Sequence, residues 1–135
     1  MMVAELGFAA PLGEWFAALG ETPAFRGGIS LANLEDLLRI SGQASVADAS
    51  HWWRDRLAAN WALIVDGYPS LGEDRAVRSP AREVRFWVAD PWGGVCQESR
   101  SLGGHPSVLH ARIAKTGLQI FRRVLAAGAA GVPSA

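Results

Sequence analysis

Residues 107 to 126 place Leu109, Ile113, Gly117, Ile120, Phe121 and Val124 at the spacing of one face of an α-helix. A face of that length has to be buried, so the rest of the chain must supply a core for about five helical turns. The opposite face is equally definite. Arg112, Lys115, Arg122 and Arg123, with Gln119, cover roughly 100° of its surface, and no acidic residue follows Glu98. We read this closing helix, capped by Ser107, as offering one face to a core and one to an anion. The competing reading is an ordinary solvated helix face.

The 135 residues suffice for one domain with a real core. We expect that domain over residues 1–126, with 127–135 a flexible tail of small residues. Hydrophobic residues make up 50% of the chain and charged residues 19%, with six tryptophans, which predicts a large core and a sticky surface. Cys96 has no second cysteine to pair with, so no disulfide ties the chain to an oxidising compartment. The first residues lack a basic segment, and no apolar run approaches the roughly 18 residues of a membrane span. These features point to the cytoplasm and away from a membrane.

The net charge of zero conceals a segregation: residues 1–50 carry −4, residues 51–100 balance, and residues 101–135 carry +4. Such asymmetry closes on itself within a fold, joins subunits head to tail, or meets an external anion.

Turn and cap signals divide the chain into helix, helix, helix, hairpin and helix. Pro11 opens a first short helix with Leu12, Trp15, Phe16 and Leu19 on one side, ended by Gly20. A loop follows from Thr22 to Gly28. Ser30 is the expected N-cap of a second helix running to about Ile40 and closed by Gly42. The third is expected to be the longest, from Ser45 or Asp48 to Asp66 with Gly67 as its stop, carrying Trp53, Leu57, Trp61 and Ile64 on one stripe and Trp52, Ala59 and Leu63 on another. Ser70 to Ala81 reads as a surface connection. Val84 to Val88 has strand propensity, and Asp90-Pro91-Trp92-Gly93-Gly94 is a turn, so a β-hairpin returns from about Val95 to Arg100. The expected fold is therefore α+β, mostly helical with about four helices and one β-hairpin before the C-terminal helix.

No catalytic or metal signature emerges, and no cofactor is expected. Cys96 with His105 or His110 lacks a thiolate-stabilising setting, and the three histidines lack metal-ligand spacing. Two features carry functional weight. If Val84, Phe86 and Val88 face the core, alternation turns Trp87 away from it, and Trp92 sits at a turn tip. Trp87 and Trp92 then form an aromatic contact surface, joined by Arg112, Lys115, Arg122 and Arg123.

The leading expectation is a non-enzymatic protein-binding module of the inhibitor, immunity, adaptor or assembly-component kind, whose partner is a protein or a second copy of the chain. A second reading rests on residues 37–42 running into residues 45–54, which resemble a helix-turn-helix with Arg54, Arg56 and Asn60 along its second helix. Followed by a hairpin, this implies a winged DNA-binding module. Asp48 and Asp55 on that helix, a wing tip without a cation and zero net charge make nucleic acid the lesser partner. A third reading is a ligand-binding or enzymatic pocket lined by His51, Trp52 and Trp61.

Overall fold

Met2–Leu6 and Ala62–Asp66 are short apolar runs without alternation, the pattern of strands covered on both faces. Both are strands at the middle of a sheet in the computed structural model, which describes residues 1–7, 11–18, 25–68 and 79–131. The order along the chain is β1 (Met2–Leu6), α1 (Leu12–Ala18), β2 (Gly27–Leu31), α2 (Leu34–Ser41), α3 (Val46–Arg56), β3 (Ala62–Asp66), β4 (Ser79–Ala89), β5 (Val95–Gly104) and α4 (Pro106–Gly131). The strands form one five-stranded sheet in the order β2-β1-β3-β4-β5. β1 lies parallel to β2 and β3, while β3–β4 and β4–β5 are antiparallel. Helices cover both faces of this mixed sheet, and the expectation of a mostly helical α+β chain with a single hairpin is overturned.

The largest correction concerns the expected third helix. α3 begins where the sequence places it, with the Ser45 hydroxyl accepting from the Asp48 amide, but it ends at Arg56. Ala58 takes a left-handed conformation, φ 51°, and directs the chain into β3. Trp53, Leu57, Trp61 and Ile64 happen to fit a helical period, yet the unbroken run Ala62-Leu63-Ile64-Val65 is fully buried between β1 and β4. The local period loses to parallel pairing with β1, a contact sixty residues away in sequence. β2 forms in the same way from Gly27–Leu31, which places Ser30 in a strand. The N-cap of α2 is instead Asn33, whose side chain accepts from the Asp36 amide at 2.9 Å. Gly42 does close α2, in the left-handed conformation with φ 69°.

Alternation along the strands builds two separate apolar layers. Val3, Leu63, Val65, Val84, Phe86 and Val88 meet α1 and α4 through Leu12, Leu109, Ile113, Ile120 and Phe121. Met2, Ala4, Leu6, Ile64, Trp87 and Ala89 meet α2 and α3 through Leu37, Ala49 and Trp53. Gly117 lets α4 lie close to the sheet, because a side chain there would meet the Phe86 ring at 3.3 Å.

The hairpin is present, with longer arms than residues 84–100, and α4 continues past Ala126 to Gly131. Leu19, Gly20, residues 22–24, Pro69, most of the Ser70 to Ala81 connection and residues 132–135 of the tail lie outside the described residues. No helix among the described residues is long and apolar enough to cross a membrane.

Candidate functional site

Parallel strands gather loops at their two ends, and these two edges of the sheet carry most of the polar and aromatic chemistry that the core does not absorb. At the edge where β1 and β3 end, Glu5 is 2% exposed. Its carboxylate accepts from the Leu12 amide at 3.0 Å and the Gly13 amide at 2.8 Å, two donors that the first turn of α1 leaves unpaired. Tyr68, just beyond β3, is buried beside Glu5. Burial pushes the phenol's pKa well above its ordinary value, and the Glu5 charge pushes it the same way. The His110 ring of α4 stacks on Tyr68 at 6.0 Å. A cleft of about 350 Å³ opens nearby, bounded by Glu5, Glu14, Phe25, Ile29 and Ser30.

The opposite edge, where β1, β2 and β3 begin, is aromatic. Trp61 immediately precedes β3 and makes edge-to-face contacts with Trp92 at 5.7 Å and Phe121 at 6.0 Å. Gly128 of α4 provides clearance, since a side chain there would meet the Trp61 ring at 3.1 Å. Trp61 and Phe121 line a cleft of about 320 Å³ together with Met1, Arg26, Asn60 and Leu125. Above it stands the turn of the β4–β5 hairpin. Asp90 Oδ1 accepts from the Trp92 and Gly94 amides, each at 2.8 Å, and the Asp90 amide donates to the Gly94 carbonyl at 3.0 Å. The Arg54 guanidinium donates to the Asp90 carbonyl, and His51 Nε2 lies 3.1 Å from the Gly93 carbonyl. The turn is thus held from inside and from α3, while Trp92 is 60% exposed.

The expected site residues fall into different surroundings. Trp87 does point away from Val84, Phe86 and Val88, but it is only 6% exposed. The face it occupies is covered by α2 and α3, and the Arg85 guanidinium lies 5.3 Å from its ring centre while pairing with Asp66 at 2.6 Å. Trp87 is core, which removes it from the expected contact surface. Arg112, Lys115, Arg122 and Arg123 are all exposed, as expected for the outer face of α4. Arg112 donates to the Gly103 carbonyl at 2.7 Å, and Arg123 pairs with Glu98. Arg112 and Lys115 also border an open groove of about 410 Å³ with Val108, Thr116 and Gln119.

His51, Trp52 and Trp61 do not line one pocket. Trp52 packs against Trp53 in the α2–α3 layer, Trp61 belongs to the α4 layer, and His51 is engaged at the hairpin turn. Nor do residues 84–100 form a free wing, since β4 pairs with β3 from Arg85 to Ala89 as well as with β5. Cys96 is exposed on β5, away from the Tyr68–His110 stack. Among the described residues no cluster of three His, Cys, Asp or Glu is placed to hold a metal ion. Glu5, Arg26 and Tyr68 escaped the sequence reading, and Asn60, expected on a helix beside Arg54 and Arg56, lies beyond the end of α3. Only Glu5 left a local signal, an acid inside an apolar run.

No family model matches the chain, and no curated protein matches it at a significant level. Its three-dimensional form does match solved structures. A competence-damaged protein (CinA) superfamily protein from Enterobacter cloacae superposes with TM-score 0.62 at 13% identity, over 90% of this chain and 80% of that one. The competence damage-inducible protein A (ComA) from Klebsiella pneumoniae gives 0.61 at 18% identity, over 93% and 86%. The competence/damage inducible protein CihA from Agrobacterium tumefaciens gives 0.63 at 14% identity, over 91% and 84%. The chain therefore has a CinA-like α/β fold; at these identities the likeness concerns the fold alone.

Proposed function

We propose that this α/β domain is a non-enzymatic protein-binding module of the inhibitor, immunity, adaptor or assembly-component kind, with Trp92 as its anchor. The observation that carries the reading is a tryptophan 60% exposed on a turn whose backbone is already fixed by Asp90, Arg54 and His51. Exposed tryptophans are costly in isolation and are enriched at the energetic centres of interfaces. A rigid turn strengthens the case, because little ordering entropy remains to be lost on association. Lys115 and Arg122 make no ion pair among the described residues and supply the positive rim of the same module, a role shared in part by Arg112 and Arg123. Rim charges of this kind act mainly on encounter rate and partner choice.

The test is capture of partners by wild type and by Trp92→Ala, with sedimentation of each protein alone. The expected loss for a truncated anchor is about thirtyfold in affinity, near 2 kcal/mol, with the fold unchanged. Loss of self-association in Trp92→Ala would identify the partner as a second copy. Retention of every captured partner and of the oligomeric state would refute the proposal. A duplex DNA complex weakened by Lys115→Glu and Arg122→Glu would replace it with a nucleic-acid function.

A further inference from the structure

The cleft beneath Trp61 has a composition that the protein-binding reading does not use. It measures about 320 Å³, at the lower end of the range of small-molecule pockets. Its walls are two aromatic rings, Trp61 and Phe121, set edge-to-face at 6.0 Å with an interplanar angle of 89°, plus the Leu125 side chain. Its polar groups are Arg26 and Asn60, and no carboxylate is among the described lining residues. The Arg26 guanidinium makes no hydrogen bond or ion pair with the described residues. Burial, and secondarily the nearby Arg26 cation, hold the Met1 amino group's pKa below its usual value.

Backbone hydrogen bonds join the segments that line the cleft. The Met2 amide donates to the Trp61 carbonyl at 2.9 Å, and the Arg26 amide donates to the Met1 carbonyl at 2.8 Å. The starts of β1, β2 and β3 are thereby tied together directly under the opening. Ala58, in its left-handed conformation, turns the chain between α3 and β3 and sets Asn60 at the rim.

We propose that this cleft binds a small planar aromatic molecule bearing one anionic group, its ring against Trp61 and Phe121 and its anion on Arg26 with Asn60 as a second donor. A guanidinium meets a carboxylate or a phosphate oxyanion with two parallel N–H donors, so either group satisfies the geometry. An aromatic lining from Trp61 and Phe121 favours a flat aromatic body over an aliphatic one. The site does not depend on Trp92 serving as a protein anchor, because its lining comes from the strand starts and α4.

The experiment uses the full chain, 2-naphthoate as the carboxylate probe, phenyl phosphate as the phosphate probe and neutral 2-naphthylmethanol as the control, followed by amide and indole NMR shifts. For ligands of this size binding is expected at about millimolar concentration, with saturable shifts at Asn60, Trp61 and Phe121. The neutral alcohol and the exposed-site variant Arg26→Gln should each weaken binding about tenfold, while Lys115→Gln should leave it unchanged. Whichever acidic probe binds tighter identifies the anion. Absence of saturable shifts at Trp61 with about 10 mM of either acid would overturn the proposal. So would equal binding of the neutral alcohol, or of the acids by Arg26→Gln.

Discussion

Where β1 and β3 end, Glu5 is held against the first turn of α1 and Tyr68 is buried under His110; where the same strands begin, half-buried Trp61 and buried Phe121 line a cleft beside Arg26. Both edges contain polar groups, aromatic rings and a cleft, yet the charged group at the first edge is matched to two backbone donors, whereas the Arg26 guanidinium at the second makes no hydrogen bond with the described residues. The difference shows how the two ends of one sheet can either engage a charged side chain with backbone donors or leave it facing outward. A carboxylate that satisfies two orphan amides fixes a helix to a strand. A guanidinium left beside aromatic walls without a carboxylate retains its capacity for an external anion.

The comparison breaks most readily at Glu5. Glu5→Ala leaves the Leu12 and Gly13 amides unpaired, and at about 1–3 kcal/mol for each buried donor the loss should reach about 3 kcal/mol in urea unfolding. Glu5→Gln keeps one acceptor oxygen and should cost less. If Glu5→Ala is as stable as wild type within about 1 kcal/mol, the α1 edge is not anchored this way.

Trp61 tests the other edge. Being half-buried, it should cost about 2 kcal/mol on replacement by Ala, below the roughly 3–5 kcal/mol of a fully buried aromatic such as Phe86. A Trp61→Ala penalty equal to that of Phe86→Ala would mean that the cleft is closed in solution.

Tyr68 sharpens the contrast through pH, since it is the one tyrosine in the sequence and phenolate absorbance reports on it alone. Its folded pKa is raised, so its contribution to stability is complete below the unfolded value of about 10 and declines as pH rises beyond it. We expect no phenolate signal through pH 10 until the protein unfolds. Tyr68→Phe should lower stability at neutral pH by no more than about 1 kcal/mol, because Glu5 keeps its two backbone donors when the hydroxyl is removed, and should flatten the alkaline limb. Phenolate appearing near pH 10 in the native protein would place Tyr68 in solvent.

The smallest effect belongs to the outer face of α4. A hydrogen bond from Arg123 holds the Glu98 carboxyl below its usual pKa, aided by the charges of Arg123 and Arg100 and opposed by desolvation. A depressed carboxylate pKa stabilises above the unfolded value of about 4.3 and the contribution disappears as pH falls through the folded value. Exposed pairs are weak, so Arg123→Ala should reduce melting temperature only slightly at pH 7 and not at all at low pH. A loss that persists unchanged in acid would assign Arg123 a packing role.

Local chemistry made several elements readable from sequence. Ser45 caps α3 and Gly42 closes α2 because caps depend on nearby backbone groups. The hairpin turn at residues 90–94 follows from Asp90, Pro91 and two glycines, and the apolar face of α4 follows from a 3.6-residue period. Alternation in β4 was also legible: Val84, Phe86 and Val88 share one face and Trp87 takes the other.

Tertiary structure decided what sequence patterning leaves open. β1, β2 and β3 pair in parallel across long stretches of chain, and a strand buried on both faces lacks the alternation that marks it. Residues 61–66 therefore read as the end of a helix, although Ala62–Asp66 pair with β1 as a strand. Whether Trp87 meets water depended on α2 and α3 covering its face, and Trp92 keeps its 60% exposure although one side of its ring lies against Trp61 and close to Gly128 of α4. The candidate cleft has the same origin: Arg26, Asn60, Trp61 and Phe121 converge only because three strand starts and one helix end at the same edge of the sheet.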